Sequence, residues 1–137
     1  MSDPGLILFA HGARDPRWAE PFEAVARRIR EQRPTLRLRL AYLEFMAPDL
    51  AGAAADLCAM GCTRIEILPL FLGTGGHLRK DLPPMVEQLR LQHPDMHWTL
   101  HAAVGEHPSV MQALAQAALA LLPEGATGAE QAAGPAP

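Results

Sequence analysis

Four short runs of apolar or alternating residues punctuate the chain: GLILFA (5–10), LRLRLAYL (36–43), TRIEILPLFL (63–72) and MHWTLHAAV (96–104). Each is bounded by Gly, Pro or polar clusters, the pattern of β-strands. The intervals between them switch to helical spacing. Phe22, Val25 or Ala26, and Ile29 repeat on one side of a helix, with Arg27, Arg28 and Arg30 for the other. Leu50, Ala54 and Leu57 repeat after Pro48, with Gly61 placed to end that helix. Leu82, Met85 or Val86, and Leu89 mark a third helix, and Val110 or Met111, Leu114, Ala118 and Leu121 a fourth. The order is four consecutive βα units, which predicts a parallel sheet between helical layers, because every parallel crossover needs a helix.

The strands also predict their own neighbours. LILFA and IEILPLFL are almost continuously apolar, as in strands covered on both faces, whereas LRLRLAYL alternates with Arg37 and Arg39 and MHWTLH with His97, Thr99 and His101. Apolar strands at the centre and alternating ones at the edges give the sheet order 2-1-3-4. In that order the connections leave strands 1 and 3 in opposite directions and open a crevice at their carboxyl ends, where open α/β sheets bind ligands. From Pro123 the sequence PEGATGAEQAAGPAP has no periodicity and no large apolar residue, so residues 1–122 are expected to form one domain and residues 123–137 a disordered tail.

Composition narrows the class. The chain of 137 residues is 49% apolar and 20% charged, with a net charge of -3, which suits an ordinary globular domain and gives no overall nucleic-acid footprint. GLILFA is too short for a membrane span or a signal core and lacks a basic lead-in, so the cytoplasm is the expected location. Cys58 and Cys62, the only cysteines, form no CxxC pair and are expected to fill space.

Candidate chemistry gathers at the predicted crevice. His11 follows strand 1 and His77 follows strand 3, and ends of adjacent strands lie about 4.8 Å apart, so two imidazoles could converge there. Gly75 and Gly76, in the run Gly73-Thr74-Gly75-Gly76, leave room for that approach. Glu44 follows strand 2, and Arg14, Arg17, Arg79 and Lys80 lie near both histidines, which as a set suits a polyanionic ligand. His97 and His101 are about 13 Å apart along a strand and cannot share an ion. His93 is placed to cap a helix and His107, before Pro108, to make a turn. No GxSxG elbow exists, Ser2 and Ser109 are the only serines, and neither GxxxxGK[ST] nor GxGxxG occurs, which argues against serine hydrolysis and against nucleotide binding.

The segments LILFAHGARDP, YLEFMAPDL, ILPLFLGTGGHLRKDLP and GEHPSV, with their spacing, resemble the short single-domain sirohydrochlorin chelatases of the CbiX/SirB type, among the class II tetrapyrrole chelatases. The likeness runs over about residues 6–122. It implies a flavodoxin-like, chelatase-like three-layer sandwich and an ATP-independent lyase that inserts Co²⁺ or Fe²⁺ into sirohydrochlorin, on the route to cobalamin or sirohaem. Co²⁺, Fe²⁺ or Ni²⁺ would be substrate, with no tightly bound cofactor. The family's metal histidines correspond to His11 and His77. Glu44 is the candidate proton acceptor. Arg14, Arg17, Gly75, Gly76, Arg79 and Lys80 are the candidate substrate contacts. Ala13 departs from the serine often found there and removes a hydroxyl beside the site.

The resemblance also implies a homodimer, since larger class II chelatases look like two such domains fused. A 14.8 kDa domain offers a broad macrocycle only one shallow wall. Neither nucleic acid nor membrane is an expected partner. Two readings from other classes stay open on the residues alone: a non-catalytic metal or tetrapyrrole carrier that uses the same histidines, and a flavodoxin-like phosphate or nucleotide-binding module in which the glycine loop is central.

Overall fold

A computed structural model describes residues 4–73 and 75–124, and of His77 the backbone alone. The elements run β1 (Gly5–Ala10), a 3-10 turn (Pro16–Ala19), α1 (Glu20–Gln32), β2 (Arg37–Tyr42), α2 (Leu50–Ala59), β3 (Arg64–Pro69), α3 (Gly76–Gln92), β4 (His97–Leu100), a second 3-10 turn (Val104–Glu106) and α4 (Pro108–Ala120). The sheet is parallel throughout, in the order β2-β1-β3-β4. Of the expected tail, residues 125–137 lie outside the described residues.

Burial explains the order. Ile7, Leu8, Phe9 and Ala10 of β1 are all buried, as befits the strand with a partner on each side. On β2, Arg37 and Arg39 reach past the edge, Arg37 to the Met60 carbonyl and Arg39 to Asp56 at 3.7 Å. The main core lies on one face of the sheet, where α2 and α3 pack Leu57, Val86 and Leu89 against Ile7, Ile65, Ile67 and Trp98. A smaller core on the other face sets Ala26 of α1 against Leu8 and Leu38.

Local signals fix the helix ends. Asp49 caps α2 by accepting from the Gly52 N–H at 2.8 Å. At the other end the Gly61 N–H donates to Cys58 O and the Cys62 N–H to Leu57 O, the paired bonds of a Schellman ending. Two elements differ from the pattern reading. Helix α3 begins at Gly76, one and a half turns before the apolar repeat that marks it, so His77, Arg79 and Lys80 stand in its first turns. Pro83 and Pro84 lie inside this helix, where they supply no N–H to the ladder. Helix α4 forms where its periodicity placed it, yet none of its residues is buried.

Candidate functional site

The carboxyl ends of β1, β2 and β3 meet through backbone bonds. Leu43 N–H donates to Ala10 O at 2.9 Å, Glu44 N–H to His11 O at 3.1 Å, and Leu70 N–H to Phe9 O at 2.8 Å. Gly12 is required at this junction. Its φ is +92°, and a Cβ there would lie 1.9 Å from the Glu44 carbonyl oxygen. The His-Gly pair therefore lets the loop after β1 press against the loop after β2.

That approach joins two of the candidate side chains. His11 Nε2 and Glu44 Oε1 are 3.0 Å apart, and both side chains are about half exposed, at 49% and 47%. The imidazole also meets the buried Phe71 ring edge-on, with centroids 6.3 Å apart. His11 is thus aimed by one polar and one apolar partner. The His77 side chain, the second expected ligand, lies outside the described residues. Its backbone is the second residue of α3, behind the N-cap Gly75. Among the described residues, no three or more His, Cys, Asp or Glu side chains gather as a metal cluster.

The cationic candidates divide by partner. Asp15 Oδ2 takes Arg17 at 2.9 Å, and the side-chain and backbone bonds from Arg17 hold the Asp15 carboxyl below its ordinary value of 3.8. This pair closes the 3-10 turn ahead of α1, so the Arg17 charge is already matched. Arg79 lies 3.8 Å from Glu106. Lys80 is exposed on α3. The Arg14 Cζ sits over the Phe45 ring, 4.7 Å from its centroid. At Gly73, Gly75 and Gly76 a Cβ would meet nothing within 4 Å, so packing within the described chain does not demand glycine there.

Phe45 borders the candidate site and is absent from the residues the pattern singles out. It is 57% exposed beside Glu44, with φ at 67° inside a three-residue turn closed by Met46 N–H to Glu44 O at 2.8 Å. Left-handed backbone at a non-glycine residue is costly and collects at functional sites. Phe45, Arg14, Tyr42 and Met46 line a cavity of about 320 Å³ beside the His11 loop. An aromatic residue directly after a candidate carboxylate at a strand end was the available signal. The other histidines stay apart from this site. His107 caps α4, with Nδ1 2.7 Å from Ser109 Oγ, His93 stacks beside Trp98 at 5.9 Å, and His101 lies 3.8 Å from Glu66.

The CbiX family profile matches residues 5–120. The chain belongs to the CbiX family. Sirohydrochlorin cobaltochelatase of Methanococcoides burtonii is 29% identical over 83 residues, 61% of this chain and 63% of that protein. The Saccharolobus solfataricus protein of the same name is 30% identical over 82 residues, 60% and 62% of the two chains. The matched stretch thus spans a little under two thirds of these relatives. Among solved structures, a CbiX protein from Marinobacter aquaeolei VT8 superposes with a TM-score of 0.77 at 32% identity, covering 86% of this chain and 96% of that one. Sirohydrochlorin chelatase SirB from Bacillus subtilis, solved in complex with cobalt, superposes at 0.75 with 18% identity over 88% of this chain and 51% of its own, a likeness of fold. Among the described residues, no helix is long and apolar enough to cross a membrane.

Proposed function

We propose that this CbiX domain inserts a divalent metal ion, Co²⁺ or Fe²⁺, into sirohydrochlorin without ATP. The observation that carries the reading is the His11–Glu44 pair, 3.0 Å apart and half open to solvent at the carboxyl edge of β1 and β2. Metal insertion needs a nitrogen ligand that holds the ion without trapping it, a base for the two pyrrolic protons, and cations for the substrate's carboxylates. Imidazole meets the first need for Co, Fe and Ni. When His11 donates its Nε2 proton to Glu44, Nδ1 keeps the lone pair and the carboxylate fixes the ring's tautomer and orientation, as in metal sites generally. His77 would add a second imidazole from the first turn of α3. Glu44, already bonded to a ring N–H, stands where a proton can be passed on.

Substrate binding falls to the surroundings. Phe45 and Arg14 offer an apolar face and a guanidinium on one side of the pair, and Arg79 and Lys80 a basic helix start on the other. Open Cβ positions at Gly75 and Gly76 would let a flat ring come close to the backbone. The free cysteines Cys58 and Cys62 suit a reducing compartment, and we place the reaction in the cytoplasm, on the cobalamin or sirohaem route. The working unit is a homodimer, in which the second copy supplies the facing wall.

The test is anaerobic incubation of the metal-free protein with sirohydrochlorin and, separately, Co²⁺, Fe²⁺ and Ni²⁺, following absorbance. The expected result is insertion above the spontaneous rate, reduced at least ~100-fold in His11→Ala. That variant should retain its wild-type unfolding curve, because the side chain is half exposed. Binding of ring or ion without turnover would make the protein a carrier instead, and no acceleration by any ion would overturn the reading.

A further inference from the structure

Phe45 stands in a conformation that packing does not offset. The Met46 N–H closes back on the Glu44 carbonyl at 2.8 Å around a φ of 67°, a γ-turn of the rare and strained kind. Gly, Asn or Asp takes such a backbone more readily than a bulky aromatic residue does. Burial does not compensate the ring. It is 57% exposed and, among the described residues, joins none of the hydrophobic clusters, whereas its neighbour Met46 packs against the cluster of Ala10, Ala19 and Tyr42. An apolar ring held in water by a strained turn points to a ligand that covers it.

The surroundings indicate the chemistry of that ligand. The Arg14 Cζ lies 4.7 Å from the centre of the Phe45 ring. Arg17 and Arg79 already face Asp15 and Glu106, but among the described residues no carboxylate pairs with Arg14. The ring therefore holds in place a guanidinium whose donors are open to an anion.

A second donor comes from the cavity wall. Tyr42 lines the same cavity of about 320 Å³ and is only 6% exposed, and among the described residues its hydroxyl makes no hydrogen bond. A largely buried hydroxyl without a partner is costly until something supplies one. Burial, and after it the Glu23 carboxylate, push the Tyr42 pKa above its ordinary value of 10.0, so the group keeps its proton and can donate it to an anion. Glu23 also lines the cavity and sets a limit, since a second anion there would meet like charge.

From the strained ring, the unmatched guanidinium and the unpartnered hydroxyl we propose that this cavity is the subsite for one carboxylate-bearing pyrrole ring of the macrocycle. The ring edge lies on Phe45, and one carboxylate arm takes hydrogen bonds from Arg14 and the Tyr42 hydroxyl. This subsite rests on the sirohydrochlorin reading above and names residues that hold the substrate. Its volume agrees, because about 320 Å³ is at the lower end for small-molecule pockets and suits one edge of a tetrapyrrole rather than the whole. Its position agrees too. Phe45 directly follows Glu44 and shares its turn, so a macrocycle seated on the ring is registered against the carboxylate and against His11.

The test titrates sirohydrochlorin into the metal-free full chain, followed by absorbance, and sets the dissociation constants beside urea unfolding of the same proteins without ligand. Phe45→Asn removes the ring but suits the left-handed backbone. It should raise the dissociation constant about 10-fold, with an unfolding midpoint at or above that of the wild type. Phe45→Tyr keeps the aromatic face and should stay within about 3-fold of the wild type. Tyr42→Phe should weaken binding at least ~5-fold and leave the midpoint unchanged, because the hydroxyl it removes has no partner in the free protein. A residue with only a structural role would move the midpoint instead. Wild-type affinity in either Phe45→Asn or Tyr42→Phe overturns the subsite while the metal-insertion reading stands. A lowered midpoint in Phe45→Asn also overturns it, since the ring would then serve the fold. A wild type that binds no sirohydrochlorin overturns both. No metal is added, so the outcome is read apart from insertion.

Discussion

His11, Gly12 and Glu44 act as one unit, because the glycine's missing side chain is what allows the imidazole and the carboxylate to meet. Gly12→Ala should therefore cost at least ~2 kcal/mol, combining left-handed backbone with a contact that cannot be made, and should reduce metal insertion as the Glu44 loop withdraws. Urea unfolding beside the insertion assay checks both effects, and a fully active variant of wild-type stability would refute the coupling. Asp15 gives a pH-dependent counterpart. Its folded-state pKa is depressed, so its contribution is complete above the ordinary carboxylate value of 3.8 and is lost as pH falls through the depressed value. Asp15→Asn should flatten the acid side of thermal stability below about pH 4, and an unchanged acid limb would show that the Arg17 pair is not coupled to folding. His11 and Glu44 were legible in the sequence because strand ends are predictable from apolar runs. Phe45 was not, since its exposure depends on a left-handed turn inside a run of apolar letters, Phe45-Met46-Ala47. The Arg17–Asp15 pairing was hidden too, because a charge cluster reads the same whether its members face a ligand or one another.

At the scale of elements, the two faces of β3 separate what packing holds from what it leaves open. Ile67 is wholly buried between α2, α3 and the sheet, and Ile67→Ala should cost about 2–5 kcal/mol. Thr99, on the opposite face of β4, should tolerate Ala within about 0.5 kcal/mol in the isolated chain. Denaturant midpoints of the two variants check this contrast, and equal losses would mean that the second face is covered after all. Strand order followed from alternation, because the edge positions of Arg37 and Thr99 are written as polar residues at period two. The start of α3 did not follow. A helix that opens on Gly76 and contains Pro83-Pro84 works against local propensity at those positions, and packing of Leu82, Val86 and Leu89 on the sheet offsets it. Helix α4 shows the reverse: its period is plain in the sequence, whereas its destination depends on tertiary geometry that periodicity does not contain.

For the molecule as a whole, electrostatics and the proposed assembly would both act on the proposed metal insertion. A net charge of -3 repels a polycarboxylate at long range, so attraction has to come from local cations. Arg14, Arg79 and Lys80 are the exposed cations proposed to contact substrate, and their fields are screened over about 8 Å at physiological ionic strength. The apparent KM for sirohydrochlorin should accordingly rise with salt, and replacing Arg79 and Lys80 together with Ala should raise KM several-fold more than it lowers kcat, since carboxylate pairing at the rim is made equally in ground and transition states. The double variant should also show a shallower dependence of KM on salt. If KM is insensitive to both salt and the substitutions, these side chains are solvated surface, and recognition falls to Phe45 and the open glycine backbone of residues 75 and 76. Dilution separates this effect from assembly. Loss of a facing wall would lower specific activity as dimers part, whereas weakened pairing at the rim raises KM at every protein concentration.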